Sequence, residues 1–370
     1  MQIFVYIVFL VFLAILLLLG LYFISSINYR KYKNKMIDHK KNEILSKLVF
    51  IMEGKNFKSD KSIKSIKKDL KDKRGIQAFY LAYKEYVEQF DYSEDLRLLL
   101  EEVIDHKQLL NNKLIDDNYS LSYTLNLLGE LNIDKDEVSS FAIKHISSKS
   151  LYVRNSALKV IRNQSNPNYV TKALEKIDQF KKYFNYKIIV DTLDNFKGSQ
   201  SDLNKSIISK IDSYNESLIS IIIDHFINQE TEETIVKDKM LDFLINASDS
   251  AIVLKATRYF SKVYDKRAKS FIKDNLESDI WSIRVVSVSS IVKYVDESII
   301  RILSKRVQDV NYFVRKNSAE VLTKVLSKKE LFKLTYTIKD KYAKDILIYT
   351  MQANDIKGYE KFKNMLEGER

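Results

Sequence analysis

The sequence predicts an all-α protein in which pairs of helices stack as an α–α superhelix, preceded by one transmembrane helix. Three observations predict it. The 370-residue chain holds one proline and seven glycines, where average usage would give roughly 18 and 26. Its N-terminal residues form an unbroken apolar run. From about residue 115 onward, apolar residues at i, i+3, i+4, i+7 recur in blocks of helical length, in pairs, at a period near 30. Sheets and barrels need turns built on glycine and proline, whereas helices joined by short polar loops do not.

Ile3 to Ile24 reads IFVYIVFLVFLAILLLLGLYFI without a charge. At about 1.5 Å per residue the 22 residues span roughly 33 Å, enough to cross a hydrocarbon core. Tyr6 and Tyr22 lie near its ends, where amphipathic rings favour the interface. A cleaved signal would need preceding positive charge, a shorter core and a small-residue cleavage site. Only Met1 and Gln2 precede the run and SSINYRKY follows it, so residues 3–24 are expected to remain as an anchor. Arg30, Lys31, Lys33, Lys35, Lys40 and Lys41 all follow the span and no basic residue precedes it. The expectation is a single-pass protein of the cell membrane with its large domain cytoplasmic.

The formal net charge is +12, and residues 30–74 alone contribute a net +10. The excess therefore sits beside the membrane, where anionic headgroups attract basic segments. Residues 25–74 are read as a basic juxtamembrane region. Its candidate membrane-surface residues are Arg30, Lys31, Lys33, Lys35, Lys64, Lys67 and Lys68, with anionic lipid headgroups the expected partner. The rest of the chain is almost neutral, which argues against nucleic acid. Within the region, Ile63, Ile66 and Leu70 recur at helical spacing among lysines. That stripe can lie on the membrane surface or pack on the domain.

Residues 75–118 read as a helical N-terminal cap, with GIQAFYLAYKEYVEQF and SEDLRLLLEEVI helical by pattern but outside the repeat register. The solenoid is expected over 119–366, in pairs covering 119–147, 150–178, 181–211, 214–246, 249–276, 279–306, 309–336 and 339–366. Asp249, Asp279 and Asp309 open three units 30 residues apart. Inner helices of a stack should be apolar on more than one face, as Leu218, Ile219, Ile221, Ile222, Ile223, Phe226 and Ile227 show. Pro167 starts a second helix, where its missing N–H costs nothing.

Two of these units continue with Ile283-Arg284 and Val314-Arg315, and an earlier one carries Val153-Arg154. Small residues follow at a fixed offset as Ala157, Ser287 and Ser318. In these residues the chain resembles the HEAT family, in particular short bacterial HEAT-like repeats whose first helix reads roughly D-x-x-V-R-x-x-A. The resemblance covers roughly 149–335 and implies a right-handed superhelix. It also implies structural roles for Arg154, Asp249, Asp279, Arg284, Asp309 and Arg315, with arginine and aspartate bonded within and between repeats. The unit at Asp249 departs from the pattern with Leu254 in the arginine position, and the unit near Phe184 has neither residue.

No cysteine is present, which removes disulfides and thiolate chemistry. His39, His106, His145 and His225 lie far apart and read as ordinary surface or half-buried side chains. No phosphate loop, dinucleotide turn, nucleophile elbow or helical metal motif occurs. Glu101-Glu102 and Glu232-Glu233 read as solvated pairs. Trp281, the single tryptophan, is expected to pack between repeats, and a DNA-repair role like that of some HEAT-like glycosylases is not expected. Phe180 to Lys187 interleaves aromatic and basic residues, so Lys181, Lys182, Tyr183 and Tyr186 are candidate partner contacts. On a helix, Tyr183 could equally be core.

These features lead to an expected noncatalytic scaffold or adaptor, with no catalytic, cofactor or metal residue, binding protein partners through a repeat surface in a bacterial envelope setting. An accessory or lyase-like factor for a small ligand is the alternative. A membrane-proximal nucleic-acid binder ranks below both.

Overall fold

The computed structural model describes residues 2–54, 61–111, 117–180 and 184–368. Every regular element among them is helical. The chain forms two compact units, Met1–Tyr169 and Val170–Arg370.

The first unit opens with α1 (Gln2–Gly54), followed by α2 (Lys61–Asp69), α3 (Lys73–Phe90), α4 (Glu94–Val103) and α5 (His106–Leu109). Then come α6 (Asn118–Glu130), α7 (Asp136–His145) and α8 (Leu151–Arg162). Helix α1 does not stop at the end of the apolar run. Lysine and arginine are good helix formers and no proline intervenes, so the helix continues through the basic stretch. Its residues from Phe9 to Ile24 are solvent-exposed within the protein, and by length and composition this is a helix able to cross a membrane. Its far half behaves differently. Ile37, Ile44, Leu48 and Ile51 fall on one face and are buried, and this half packs against α3.

The charge-based division at residues 74 and 75 thus has no counterpart in the packing. The basic stretch contains core positions because a lysine-rich helix can bury a narrow apolar stripe while its charged heads stay in water. Helix α2 shows the same arrangement. Ile63, Ile66 and Leu70 are buried within the unit, so the stripe packs on the domain. Helix α3 then meets α6, and α6 meets α8.

The second unit holds α9 (Pro167–Gln179) from Val170 onward, then α10 (Tyr186–Asp194) and α11 (Gln200–Ile208). It continues with α12 (Glu216–Asn228), α13 (Thr234–Asn246), α14 (Ser250–Lys262) and α15 (Lys269–Asn275). The last repeats are α16 (Trp281–Ser290), α17 (Glu297–Arg306), α18 (Tyr312–Val325), α19 (Lys328–Thr337), α20 (Lys341–Ala353) and α21 (Tyr359–Gly368). The polar separators between apolar blocks are helix caps. Ser199, Asn215, Asp249, Asp296, Asn311, Ser327 and Asp340 each accept from a backbone N–H of the first turn they precede.

First helices stack on first helices in the order α10, α12, α14, α16, α18, α20. Side chains bridge them in register. Lys255 Nζ donates to Ser220 O at 2.9 Å and to Asp224 at 2.6 Å, and Asn317 Nδ2 donates to Val285 O at 3.4 Å. Several second helices pack on the first helix of the next repeat, as α13 does on α14, α15 on α16 and α17 on α18, whereas α11 packs on α13. In those repeats the short connection between repeats, rather than the loop within each, closes the tighter hairpin. This is an all-α, helical-repeat fold with its helices packed in pairs. Buried tyrosine and phenylalanine fill its core alongside the aliphatics, Tyr259, Phe226 and Phe260 among them.

Candidate functional site

The repeat arginines occupy the fourth residue of α8, α16 and α18 and do one job three times. Nη1 of Arg154 donates to the carbonyls of Ser148 and Lys149, at 2.8 and 3.2 Å. Nη1 of Arg284 donates to those of Ser278 and Asp279, at 2.7 and 3.1 Å. Nη1 of Arg315 donates to those of Asp309 and Val310, at 2.8 and 3.1 Å. Each guanidinium thus ties the connection between repeats to the helix that follows it. The carbonyls lie outside any helix, so a side-chain donor is what keeps them satisfied.

The aspartates are periodic but physically unlike one another. Asp249 caps α14 through Ala251 N and Ile252 N. Asp279 is exposed and contributes its carbonyl, not its carboxylate, to Arg284. Asp309 is buried and takes Arg284 bidentately, with Nε and Nη2 at 2.9 and 2.8 Å. Burial alone would raise the Asp309 carboxyl, but the bonds from Arg284 and Asn311 N and the charge of Arg306 hold it below its ordinary value. Arg284 is buried, whereas Arg315 is half-exposed and has a ring contact with Tyr312. Of the arginine–aspartate bonds that the resemblance implies within and between repeats, the side-chain pair Arg284–Asp309 is of the between-repeat kind. Arg284 reaches forward, because the following connection lies nearer than its own N-terminal aspartate side chain.

Three further expectations change. Trp281 is 50 % exposed at the first position of α16, and first-turn side chains at that edge point away from the stack. His225 is fully buried, with Nδ1 2.5 Å from Asp194 and Nε2 3.4 Å from Asn204 Oδ1. Glu233 is half-buried and accepts from Asn204 Nδ2 at 3.2 Å, so it belongs to this polar cluster and not to a solvated pair. Lys181, Lys182 and Tyr183 lie outside the described residues. Tyr186 is exposed at the start of α10.

Tyr186 and Trp281 belong to a pattern. Tyr119 on α6, Tyr152 on α8, Tyr186 on α10, Trp281 on α16, Tyr312 on α18 and Tyr342 on α20 all occupy the first or second helical position and are all exposed. Leu151 and Phe313 stand exposed beside two of them. Since α16, α18 and α20 run side by side in register, their aromatics share one edge of the second unit. The edge of α6 and α8 in the first unit does the same. The sequence signal was available: in each of these repeats the aromatic residue stands one or two positions after the residue that precedes the helix.

The charged candidates on α1 and α2 separate. Arg30, Lys31, Lys33 and Lys35 are exposed on α1, and Lys64 and Lys68 on α2. Lys67 instead bonds Glu102 of α4 at 2.5 Å, because burial of Ile63 and Ile66 turns that edge of α2 toward the domain. A groove of about 860 Å³ opens between α1, the α2–α3 turn and the start of α6. Tyr29, Tyr32, Lys33, Met36 and Lys40 of α1 line it together with Lys71, Asp72, Lys73 and Arg74, and with Asp117 and Tyr119. Lys40 bonds Asp72 at 2.9 Å; burial opposes its charge, and Asp72 and Asp69 raise its pKa nonetheless. Among the described residues no three or more histidine and carboxylate side chains gather as a metal site would require.

No protein-family model matches the chain, and neither does any curated protein. Among solved structures it is similar to human deoxyhypusine hydroxylase in complex with glycerol. That similarity is at 10 % identity and a TM-score of 0.28, covering 80 % of this chain and 96 % of that one. It is also similar to an engineered protein, at 12 % identity and a TM-score of 0.25, covering 79 % and 83 % of the two chains.

Proposed function

We propose that this protein is a membrane-tethered, noncatalytic adaptor of the HEAT-like class that binds protein partners along the aromatic edge of its repeats. One observation carries the reading: an exposed tyrosine or tryptophan recurs at the first turn of six first helices. Isolated exposed apolar residues need no explanation, but large aromatics repeated on neighbouring helices within a unit do. Tyrosine and tryptophan are the residues that dominate protein interfaces, because they bury much area and lose few rotamers. The rings on the consecutive helices α16, α18 and α20 suit an extended protein segment, which meets one ring per repeat there. The apolar run of α1 supports the tether, and the basic residues after it support a cytoplasmic domain.

The test is crosslinking in membranes followed by mass spectrometry, comparing the wild type with Trp281→Ala/Tyr312→Ala/Tyr342→Ala. The triple variant should keep its melting temperature within a few degrees and lose the crosslinked partner. Tyr349→Ala, an exposed change later in α20, should retain it. A partner captured equally by the triple variant would remove the aromatic edge from the proposal.

A further inference from the structure

We infer that the groove between α1, the α2–α3 turn and α6 is a headgroup site for a phosphate-bearing anionic lipid. The inference rests on the reading that α1 spans the membrane, and it assigns a lipid partner to a defined site instead of to the whole basic collar.

Charge bookkeeping inside the groove comes first. Five basic side chains and two carboxylates line it. Both carboxylates are already committed. Asp72 caps α3 through Arg74 N at 2.8 Å and Gly75 N at 2.9 Å while holding Lys40. Asp117 caps α6 through Ser120 N at 2.7 Å. Lys33, Lys71 and Arg74 make no ion pair among the described residues. The N-termini of both α3 and α6 open into the same space, each already capped by its own aspartate. Five cations against two carboxylates that are already bonded leave the groove with a net positive field, which suits an anion.

Position selects the lipid as the source of the anion. The α1 lining residues Tyr29, Tyr32, Lys33, Met36 and Lys40 follow helical spacing, so they form one face. Tyr29 stands five residues past Ile24, about 8 Å along the helix, at the depth of the headgroup layer. Lys33 lies about 13 Å past Ile24, and its side chain can extend back toward the interface with its stem along Met36 and its ammonium in water. Tyrosines at this level favour the boundary between hydrocarbon and water. A groove of about 860 Å³ is within the range of roughly 300–1,000 Å³ usual for small-molecule sites, ample for a glycerophosphate headgroup.

The experiment uses the full chain in neutral detergent, titrated calorimetrically with four probes: dihexanoyl phosphatidic acid, dihexanoyl phosphatidylcholine, glycerol 3-phosphate and inorganic phosphate. Phosphatidic acid should bind, weakening as salt rises, and the other three should bind at least tenfold more weakly. Lys33→Gln/Lys71→Gln/Arg74→Gln should weaken it at least tenfold. Lys61→Gln/Lys64→Gln/Lys68→Gln removes as many exposed charges from α2 and should change it less than threefold. The single reversal Lys71→Glu provides a second reading if the groove triple loses its melting transition. Equal loss from both triples would mean a diffuse collar and overturn the site. Equal binding of glycerol 3-phosphate or inorganic phosphate would overturn the lipid as source, and equal binding of phosphatidylcholine would overturn the anion. Alkaline extraction of membranes tests the tether separately. Wild-type protein washed into the soluble fraction would overturn the anchor, and the detergent titration would still judge the groove.

Discussion

At the residue scale, Arg284 shows how one side chain can serve two connections at once. Its Nη1 closes the turn behind it and its Nε and Nη2 bind Asp309 in the turn ahead. Removing one member of a buried ion pair typically costs about 3–5 kcal/mol, because the other charge is stranded. Arg315 is half-exposed and bonds only carbonyls, so its loss should cost about 1.5–3 kcal/mol, the value for hydrogen bonds to a charged group. Chemical denaturation should therefore rank Arg284→Ala well below Arg315→Ala in stability. Lys328→Ala, exposed with only a ring contact to Phe332 at 5.6 Å, should fall within about 0.5 kcal/mol of wild type. Equal effects at Arg284 and Arg315 would show that the Asp309 pair contributes little. The same pair sets a pH dependence. Asp309 and Asp194 are both held below the ordinary carboxylate value, Asp194 by bonds from His225 and Asn228 that outweigh its burial. Depressed carboxyls contribute stability above the unfolded pKa near 3.9 and lose it as pH falls through the folded value. Unfolding measured from pH 6 down to pH 3 should show that loss, and Asp309→Asn should shrink it.

At the element scale, α1 and α2 are helices whose composition and packing point in different directions. Both are rich in lysine, yet each buries an isoleucine stripe in the first unit. The burial decides the question left open by the amphipathic pattern of α2. Ile66→Ala should lower the stability of that unit by about 2–5 kcal/mol, as for other buried aliphatic truncations. A stripe lying on the membrane would respond otherwise, with unchanged stability in detergent and weaker vesicle binding. The packing also shows why truncation is a poor probe of the basic region. A chain beginning near residue 75 would strip Ile37, Ile44, Leu48 and Ile51 from α3 and expose its core face, so substitutions are the cleaner instrument.

At the scale of the whole molecule, the sidedness of the charge leads to a topological prediction. All the basic residues near the apolar run follow it, and such residues stay on the cytoplasmic side. Protease added to intact cells should leave the repeats whole and should digest them once the membrane is opened. Digestion in intact cells would reverse the orientation. Periodicity alone determined the helical class and the positions of the paired helices, because a stack repeats one packing problem and must repeat its apolar pattern. Scarce proline and glycine and the uncharged run of α1 were equally readable, since both are properties of neighbours along the chain. What only the tertiary structure decided concerns residues brought together from a distance. Asp279 and Asp309 look alike in sequence, and their roles differ because the repeat before Asp309 brings Arg284 to its carboxylate, whereas the repeat before Asp279 has Leu254 at the matching position. His225 became core and Trp281 surface through the rotation of each helix within the stack. The groove joins residues 29–40, 71–74 and 117–120, three segments whose meeting depends on α1 folding back against α3. Local spacing carries no information about that approach; it is set by the burial of Ile37, Ile44, Leu48 and Ile51.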